Sequence, residues 1–313
     1  METNILDLSV VIPVRDEEGS LPELVSRLKN VIDGLQLSFE MIFVTDVNQD
    51  NTLFVLKSLH EDDSRVKILK LSNSFGQHVA IFAGLNFCRG NAVVIMDGDL
   101  EDYPEDIPKL YNKLKEGYDV VYSVRERKDE SALRNFFSKL FVKLLNALSD
   151  QKLDHNTNMF RIMSRRTVRE LCRFKEREPN LTGLVSLINF PAAQIILPTG
   201  KRKAGRTKYS YLRLINLSIS FLLSFSNKPL RVISIFGLLV SGFSFVYLVI
   251  VLIQTFLGQI KVLGWPTVIT LITFLSGVQL LSIGVIGEYI GRIFLESKNR
   301  PLYIIEEKIG DLE

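Results

Sequence analysis

Val94-Ile95-Met96-Asp97-Gly98-Asp99-Leu100-Glu101-Asp102 is the end of an apolar run followed at once by a cluster of acids. The run from Ala92 to Met96 reads as a buried strand closed by polar punctuation. Alternation along the chain places the carboxylates of Asp97, Asp99 and Glu101 on one side. Carboxylates crowded in this way repel one another, so the pattern calls for a hard cation among them. Mg2+ held by one or two carboxylates together with phosphate oxygens is the usual solution, which points to a nucleoside diphosphate. A solvated acidic loop explains the same residues taken alone, because Asp, Gly and Glu are ordinary in turns.

A unit of strand, polar loop and helix recurs on both sides of this stretch. Leu8 to Pro13 is a short run rich in Val and Ile, suited to a buried parallel strand, and it ends in Pro13-Val14-Arg15-Asp16-Glu17-Glu18-Gly19. Ser20 and Glu23 have the spacing of a capping box, opening a helix with Leu24, Leu28, Val31 and Ile32 on its apolar face. Strands follow over 40–45, 66–71 and 119–123, and helices over 52–60, 77–88 and 104–116. The alternation predicts an α/β fold with a doubly wound, mostly parallel sheet whose ligands bind beyond the carboxyl ends of its strands. Glu17, Asp46, Asp97 and Asp99 all follow such ends, and their convergence is harder to explain as solvated surface.

With 313 residues and a net charge of +3, the chain has room for two domains and lacks the basic excess of a dedicated nucleic-acid binder. Cys88 and Cys172 are far apart without metal-type spacing, so both are expected as reduced packing residues. Met1 to Asp7 is too short and polar for a cleavable signal. Over about 131–148, Leu133, Phe136, Phe137, Leu140, Phe141, Leu144, Leu145 and Leu148 recur at helical spacing between Arg134, Lys139 and Lys143. Such a stripe suits a helix on an anionic bilayer surface, and a core-packing helix explains it about as well. Lys201, Arg202, Lys203, Arg206 and Lys208 lie in a glycine-containing loop that could clamp a phosphate or flank a membrane.

Beyond residue 210 the composition turns apolar. Residues 232–257 and 267–290 are each long enough to span a hydrocarbon core, which needs about 20 apolar residues, and 211–231 reads as an amphipathic interface helix. Lys228 and Arg231 precede the first stretch; Arg292, Lys298 and Arg300 follow the second. The positive-inside bias places both termini and the catalytic region in the cytoplasm, with only the connector outside. The expected organisation is a cytoplasmic domain over 1–210, the interface helix over 211–231, a two-helix membrane domain over 232–291 and a cytoplasmic tail over 292–313. Gly237, Ser241 and Gly284 would permit close helix contact and a homo-oligomer.

These motifs together resemble the membrane-anchored, family-2 glycosyltransferases of GT-A fold that act on polyprenyl phosphate. VVIPVRDEEGSL is similar to the family's opening strand and nucleotide loop, FVTDVNQDNT to its second strand and loop, and VVIMDGDLEDYPEDIP to its metal motif. Within the family, FGQHVAIFAGL, RKAGRTKYSYLRLINL, KPLRVISIFG and IGEYIGRIFLESKNRPLY look most like the bacterial transferases of 4-deoxy-4-formamido-L-arabinose to undecaprenyl phosphate, enzymes of cell-envelope or lipid A modification in the inner membrane. Polyprenyl-phosphate glucosyl and mannosyl transferases are the next resemblance. The likeness implies that Pro13, Glu17 and Asp46 contact the nucleoside of a UDP-sugar and that Asp97, Asp99 and Glu101 hold Mg2+ or Mn2+ beside it. It further implies that Arg125, Arg134 and Ser138 bind the acceptor lipid phosphate, and that Arg202 and Lys208 bind the donor diphosphate. Asp97, Asp99 and Arg125 would carry the chemistry.

Three positions depart from the family pattern. Thr45 stands where an Asp often precedes the base-contacting Asp, and Val47 where Gly or Asn is usual. Met159 occupies the place of an Asp proposed as catalytic in the glucosyl-transferring branch, and the formamido-arabinose branch also carries Met there. A non-catalytic membrane scaffold or flippase accessory is the competing class. A processive synthase is disfavoured because no Gln-x-x-Arg-Trp element occurs.

Overall fold

The computed structural model describes residues 5–125, 157–177, 179–198, 228–257 and 264–312. They fall into two compact units. One carries the strands and includes the chain from Arg300 onward; the other carries two long helices. The expected surface helix 131–148, with Arg134 and Ser138, lies outside the described residues, as do the loop holding Arg202 and Lys208 and residues 211–227.

Eight strands form a single sheet in the first unit: β1 (Leu6–Val14), β2 (Phe39–Thr45), β3 (Val66–Leu71), β4 (Gly90–Ile95), β5 (Val120–Arg125), β6 (Thr157–Ser164), β7 (Ala192–Leu197) and β8 (Ile305–Ile309). Their order is β7-β5-β6-β4-β1-β2-β3-β8. β1 pairs in parallel with both β2 and β4, and β3 continues the parallel set beside β2. Three pairings are antiparallel, β3 with β8, β4 with β6 and β5 with β6, so the sheet is mixed where a mostly parallel one was expected. The five strands read from the sequence are all present. β6, β7 and β8 were not anticipated.

Helices cover both faces because successive strand residues point to opposite sides. On one face Leu8, Val10, Ile12 and Val14 of β1 join Met41, Phe43, Val94 and Met96 in a core closed by α1 (Leu21–Gly34), α2 (Thr52–Asp62) and α4 (Ile107–Lys115). α1 contributes Leu21, Leu24, Val25, Leu28 and Ile32, all buried. Each such side chain adds about 1.5–3 kcal/mol of transfer free energy before entropy is subtracted. On the other face α3 (Gln77–Phe87) packs on β1 and β2. A Cβ at Gly84 would collide with Val11 Cγ1 and sit 3.0 Å from Val44 Cγ2, so the helix approaches this closely only with glycine there. The short helices α5 (Arg165–Leu171) and α6 (Leu181–Ile188) follow β6.

The expected cytoplasmic tail is part of the sheet. β8 lies along the β3 edge, and at the amino ends of the strands the chain beyond it closes over a buried charge network. Glu40, about 1% exposed, accepts from Ser9 Oγ at 2.6 Å, from the Arg89 amide at 2.6 Å and from Lys67 Nζ at 2.7 Å. Lys67 Nζ also donates to the Asp311 carbonyl at 2.8 Å, and Arg89 to the Asp311 carboxylate at 2.7 Å. Every partner of this ion pair is a hydrogen-bonding group, the condition for burying two charges without a large net penalty.

The second unit contains α7 (Lys228–Phe256) and α8 (Trp265–Ser297). At about 1.5 Å per residue each is longer than a hydrocarbon core of about 30 Å. Among the described residues one stretch, Phe274–Ser297 within α8, is long and apolar enough to cross a membrane. The helix therefore extends past the expected limit of residue 290 and contains Glu288 and Arg292, whose Oε1 and Nε lie 3.7 Å apart one turn from each other. The expected first span, 232–257, is covered by α7 up to Phe256, and α7 exposes Phe236, Leu238, Leu239 and Phe243.

Replacing Lys67 by Met leaves the buried Glu40 carboxylate with Arg89 Nε, 3.7 Å away, in place of its hydrogen-bonded cation and is expected to cost about 3 kcal/mol. The double change Glu40→Gln with Lys67→Met should recover part of that loss. Urea unfolding followed by circular dichroism measures both, and a neutral Lys67→Met would show that the pair contributes nothing.

Candidate active site

β1 has parallel neighbours on both sides, and the connections leaving β1 and β4 diverge there, opening a crevice at the carboxyl ends of the strands. The crevice is a cleft of about 360 Å³. Pro13, Val14, Arg15 and Glu17 line it from the end of β1, Val44 and Asp46 from β2, Ser74, Gly76 and Gln77 from the approach to α3, and Asp97, Gly98, Asp99 and Glu101 from the end of β4. Pro13, Glu17, Asp46, Asp97, Asp99 and Glu101 are thus brought together from three separate segments.

The acids reach the cleft by a different route from the one the sequence suggested. β4 ends at Ile95, and 98–102 is a turn with Leu100 in the left-handed region at φ 62°, so strand alternation does not align the three carboxylates. The turn is held at several points. Ser20 Oγ donates to the Gly98 carbonyl at 2.7 Å instead of capping α1, so the predicted capping box is not formed. A Cβ at Gly98 would sit 2.7 Å from Val14 Cγ1. The Glu101 amide donates to Asp99 Oδ1 at 3.0 Å, Gln77 Nε2 donates to Asp97 Oδ1 at 2.7 Å, and Asn158 Nδ2 donates to Asp102 Oδ1 at 2.7 Å.

The wall opposite the acids is two loops knitted by reciprocal bonds. The Gln49 amide donates to Asp16 Oδ1 at 2.6 Å, the Glu17 amide to Thr52 Oγ1 at 2.8 Å, and the Asn51 amide to Glu18 Oε2 at 2.9 Å. Thr45, at the end of β2, accepts from Asn48 Nδ2 at 2.7 Å and so braces the turn that follows Asp46. Asp46 Oδ1 is buried and has no hydrogen-bond partner among the described residues; its nearest cation is Arg15 Nε at 3.9 Å. A buried acceptor left open in a cleft is an invitation to an N–H or O–H of a ligand.

Comparison with known proteins accords with this arrangement. The model of glycosyl transferase family 2 matches residues 9–172, more than half the chain. The chain belongs to glycosyl transferase family 2. A second model, the GtrB C-terminal hairpin, matches residues 228–293, which include α7 and most of α8. An uncharacterised glycosyltransferase of Bacillus subtilis is 40% identical, over 97% of this chain and 95% of its own. The bactoprenol glucosyl transferase of Shigella phage SfV is 36% identical, over 97% and 99%. Among solved structures, glucosyl-3-phosphoglycerate synthase of Mycobacterium tuberculosis, bound to Mn2+, UDP-glucose and phosphoglyceric acid, shares the fold at 20% identity with a TM-score of 0.51, covering 70% of this chain and 79% of that one.

For a family 2 transferase the charge of the cleft has a direct consequence. Five carboxylates and one guanidinium line it. A diphosphate entering such a cleft needs a cation, and the donor set is all hard oxygen, suited to Mg2+ or Mn2+. Among the described residues no three carboxylate, His or Cys side chains are gathered closely enough to hold an ion unaided. The fit is to an ion shared between one or two of these acids and the ligand's phosphates. Arg125 ends β5 with its backbone beside Leu197 of β7. Cys88 is a buried free thiol, its pKa raised by burial to about 12, and Cys172 is also free, as expected of packing residues.

Arg15, Ser74, Gln77 and Arg161 are site neighbours that the sequence reading passed over. Arg161 had a visible signal: a lone cation in the apolar run Met159 to Met163, where an unpaired charge is rare. Gln77 and Ser74 had none, since their part depends on α3 meeting the β4 turn. Asp46→Ala is expected to weaken UDP binding at least about tenfold with little change in melting temperature, because Oδ1 makes no hydrogen bond among the described residues. Calorimetric titration with UDP checks this, and unchanged affinity would remove Asp46 from the nucleotide end.

Proposed function

We propose that the protein is an inverting glycosyltransferase that moves a sugar, glucose in the reading favoured here, from a UDP-sugar to polyprenyl phosphate at the cytoplasmic face of a bacterial membrane. The observation that carries this reading is the acid-lined cleft at the β1–β4 switch point with the open acceptor Asp46 Oδ1 at one end and the Asp97–Glu101 turn at the other. The bactoprenol glucosyl transferases that align over nearly the whole chain support the lipid acceptor and favour glucose over formamido-arabinose. Met159 supports formamido-arabinose as the second reading.

In this reading Pro13, Glu17 and Asp46 seat the nucleoside, and Asp97 and Asp99, with Glu101 beside them, face the diphosphate. Mg2+ or Mn2+ at Asp99 and Asp97 would supply stabilisation of the charge on the departing UDP. Arg125, Arg134 and Ser138 orient the lipid phosphate, and Arg202 and Lys208 meet the donor diphosphate. The acceptor oxygen bonds to the anomeric carbon as that carbon's bond to UDP breaks, inverting the centre. A phosphate monoester is already anionic at neutral pH, so a strong general base is not required and Met159 is compatible with activity. Orientation and electrostatics carry the rate.

The helical pair suits an acceptor whose tail stays in the bilayer. β8 follows α8 and pairs with β3, so the chain on either side of α7 and α8 belongs to one sheet, which supports two crossings and cytoplasmic placement of both termini. Lys228, Arg231, Arg292, Lys298 and Arg300 supply the positive-inside bias.

Asp99→Asn should lower transfer by at least about a hundredfold, the scale of losing one preorganised electrostatic contact, while leaving the melting temperature near that of the parent. Membranes containing the protein, offered labelled UDP-glucose, UDP-mannose, UDP-galactose and UDP-formamido-arabinose with undecaprenyl phosphate, should label the lipid from UDP-glucose. Labelling from formamido-arabinose alone would install the second reading, and no labelling from any donor would favour a non-catalytic scaffold.

A further inference from the structure

Arg161 is fully buried and is the largest side chain so placed, yet it lies on β6 one strand from the acidic turn, in register with Ile95 of β4 and Tyr122 of β5. Its hydrogen bonds go to neutral groups: Nε to the Met159 carbonyl at 3.2 Å, and Nη2 to the Asn158 carbonyl at 2.8 Å and Thr182 Oγ1 at 3.2 Å. Nη1 is buried with no hydrogen-bond partner among the described residues. The Tyr122 ring lies 5.1 Å from the guanidinium carbon. Burial pulls the Arg161 pKa down to about 10, against the upward influence of Tyr122 and then of Asp97. It remains a cation at neutral pH.

A guanidinium withdrawn from water costs several kcal/mol unless other charges or hydrogen bonds offset the loss, and an apolar residue of similar volume would fill the position without that cost. What such a residue would lack is a positive charge directly behind a cleft lined by five carboxylates. Arg161 reaches both ends of the turn between β4 and α4. It draws on Asp97 through its charge, and it fixes the Asn158 backbone, whose side chain holds Asp102.

We propose that Arg161 is a positioning residue for the donor site, setting the acidic turn from behind without touching the donor. The inference rests on the reading of the cleft as a sugar-nucleotide site. By relieving repulsion among the acids before any cation arrives, the guanidinium keeps the turn arranged for a metal and diphosphate, and its loss falls on donor and metal binding, leaving the lipid end unaffected.

The test uses the full-length protein in detergent with Arg161→Gln and Arg161→Lys. Arg161→Gln should raise the Mn2+ concentration for half-maximal UDP binding and the donor KM at least about tenfold, with the acceptor KM changed less than about twofold. Arg161→Lys, which keeps the charge, should regain most of the Mn2+ response. Should Arg161→Gln fail to fold, Asn158→Ala, which cuts the tie to Asp102 and the side-chain oxygen's bond from the Met159 amide while keeping Arg161, is expected to raise the donor KM in the same direction. The inference is overturned by a folded Arg161→Gln with parental donor KM and Mn2+ requirement, by equal losses for donor and acceptor, or, where Arg161→Gln does not fold, by a parental donor KM in Asn158→Ala. Parental protein that binds no UDP would instead overturn the nucleotide reading itself.

Discussion

Parallel hydrogen bonding of β1 to β2 on one side and β4 on the other is the constraint from which the rest follows. It directs the carboxyl ends of three strands to one rim and leaves no connection crossing between β1 and β4, so a cleft opens where two loops separate. Each strand then needs only a short polar segment after its last apolar residue to project into that cleft. Ser20 and Gly98 fix the distance between the two sides, one by a hydrogen bond across the gap and the other by lacking a side chain where Val14 stands.

Charges at the two ends of the sheet are treated in opposite ways. At the amino ends, Glu40, Lys67, Arg89 and Asp311 satisfy one another almost completely, which lets buried charge coexist with a stable core and anchors the returning chain. At the carboxyl ends, Asp46 Oδ1 and Arg161 Nη1 are buried without hydrogen-bond partners among the described residues, and five acids share one cleft. A buried acceptor left open at the cleft is costly, so Asp46 Oδ1 marks where binding is to be gained.

The long helices impose a different requirement. Many of their large apolar side chains are exposed, and the strand that follows them still completes the sheet. The chain leaves the sheet, forms two apolar helices of 29 and 33 residues and then returns to pair with β3, so the strand that closes the sheet edge follows the helices in sequence.

Local pattern alone determined the repeating strand-loop-helix units, the acids after β1, β2 and β4, and the two long apolar helices, because hydrophobic period and turn chemistry are properties of neighbouring residues. It also directed attention to the stretch that became the turn after β4. What it misread was geometry: the turn's left-handed Leu100 and the diverted Ser20 hydroxyl both depend on packing between segments distant in sequence. β6 and β8 run antiparallel and went unseen because strand direction and partner are decided by pairing across the sheet, and the apolar run around Arg161 is interrupted by charge. The sequence by itself determined which chemical groups were available; only the tertiary structure decided which of them meet, because hydrogen bonds and charges act across space rather than along the chain.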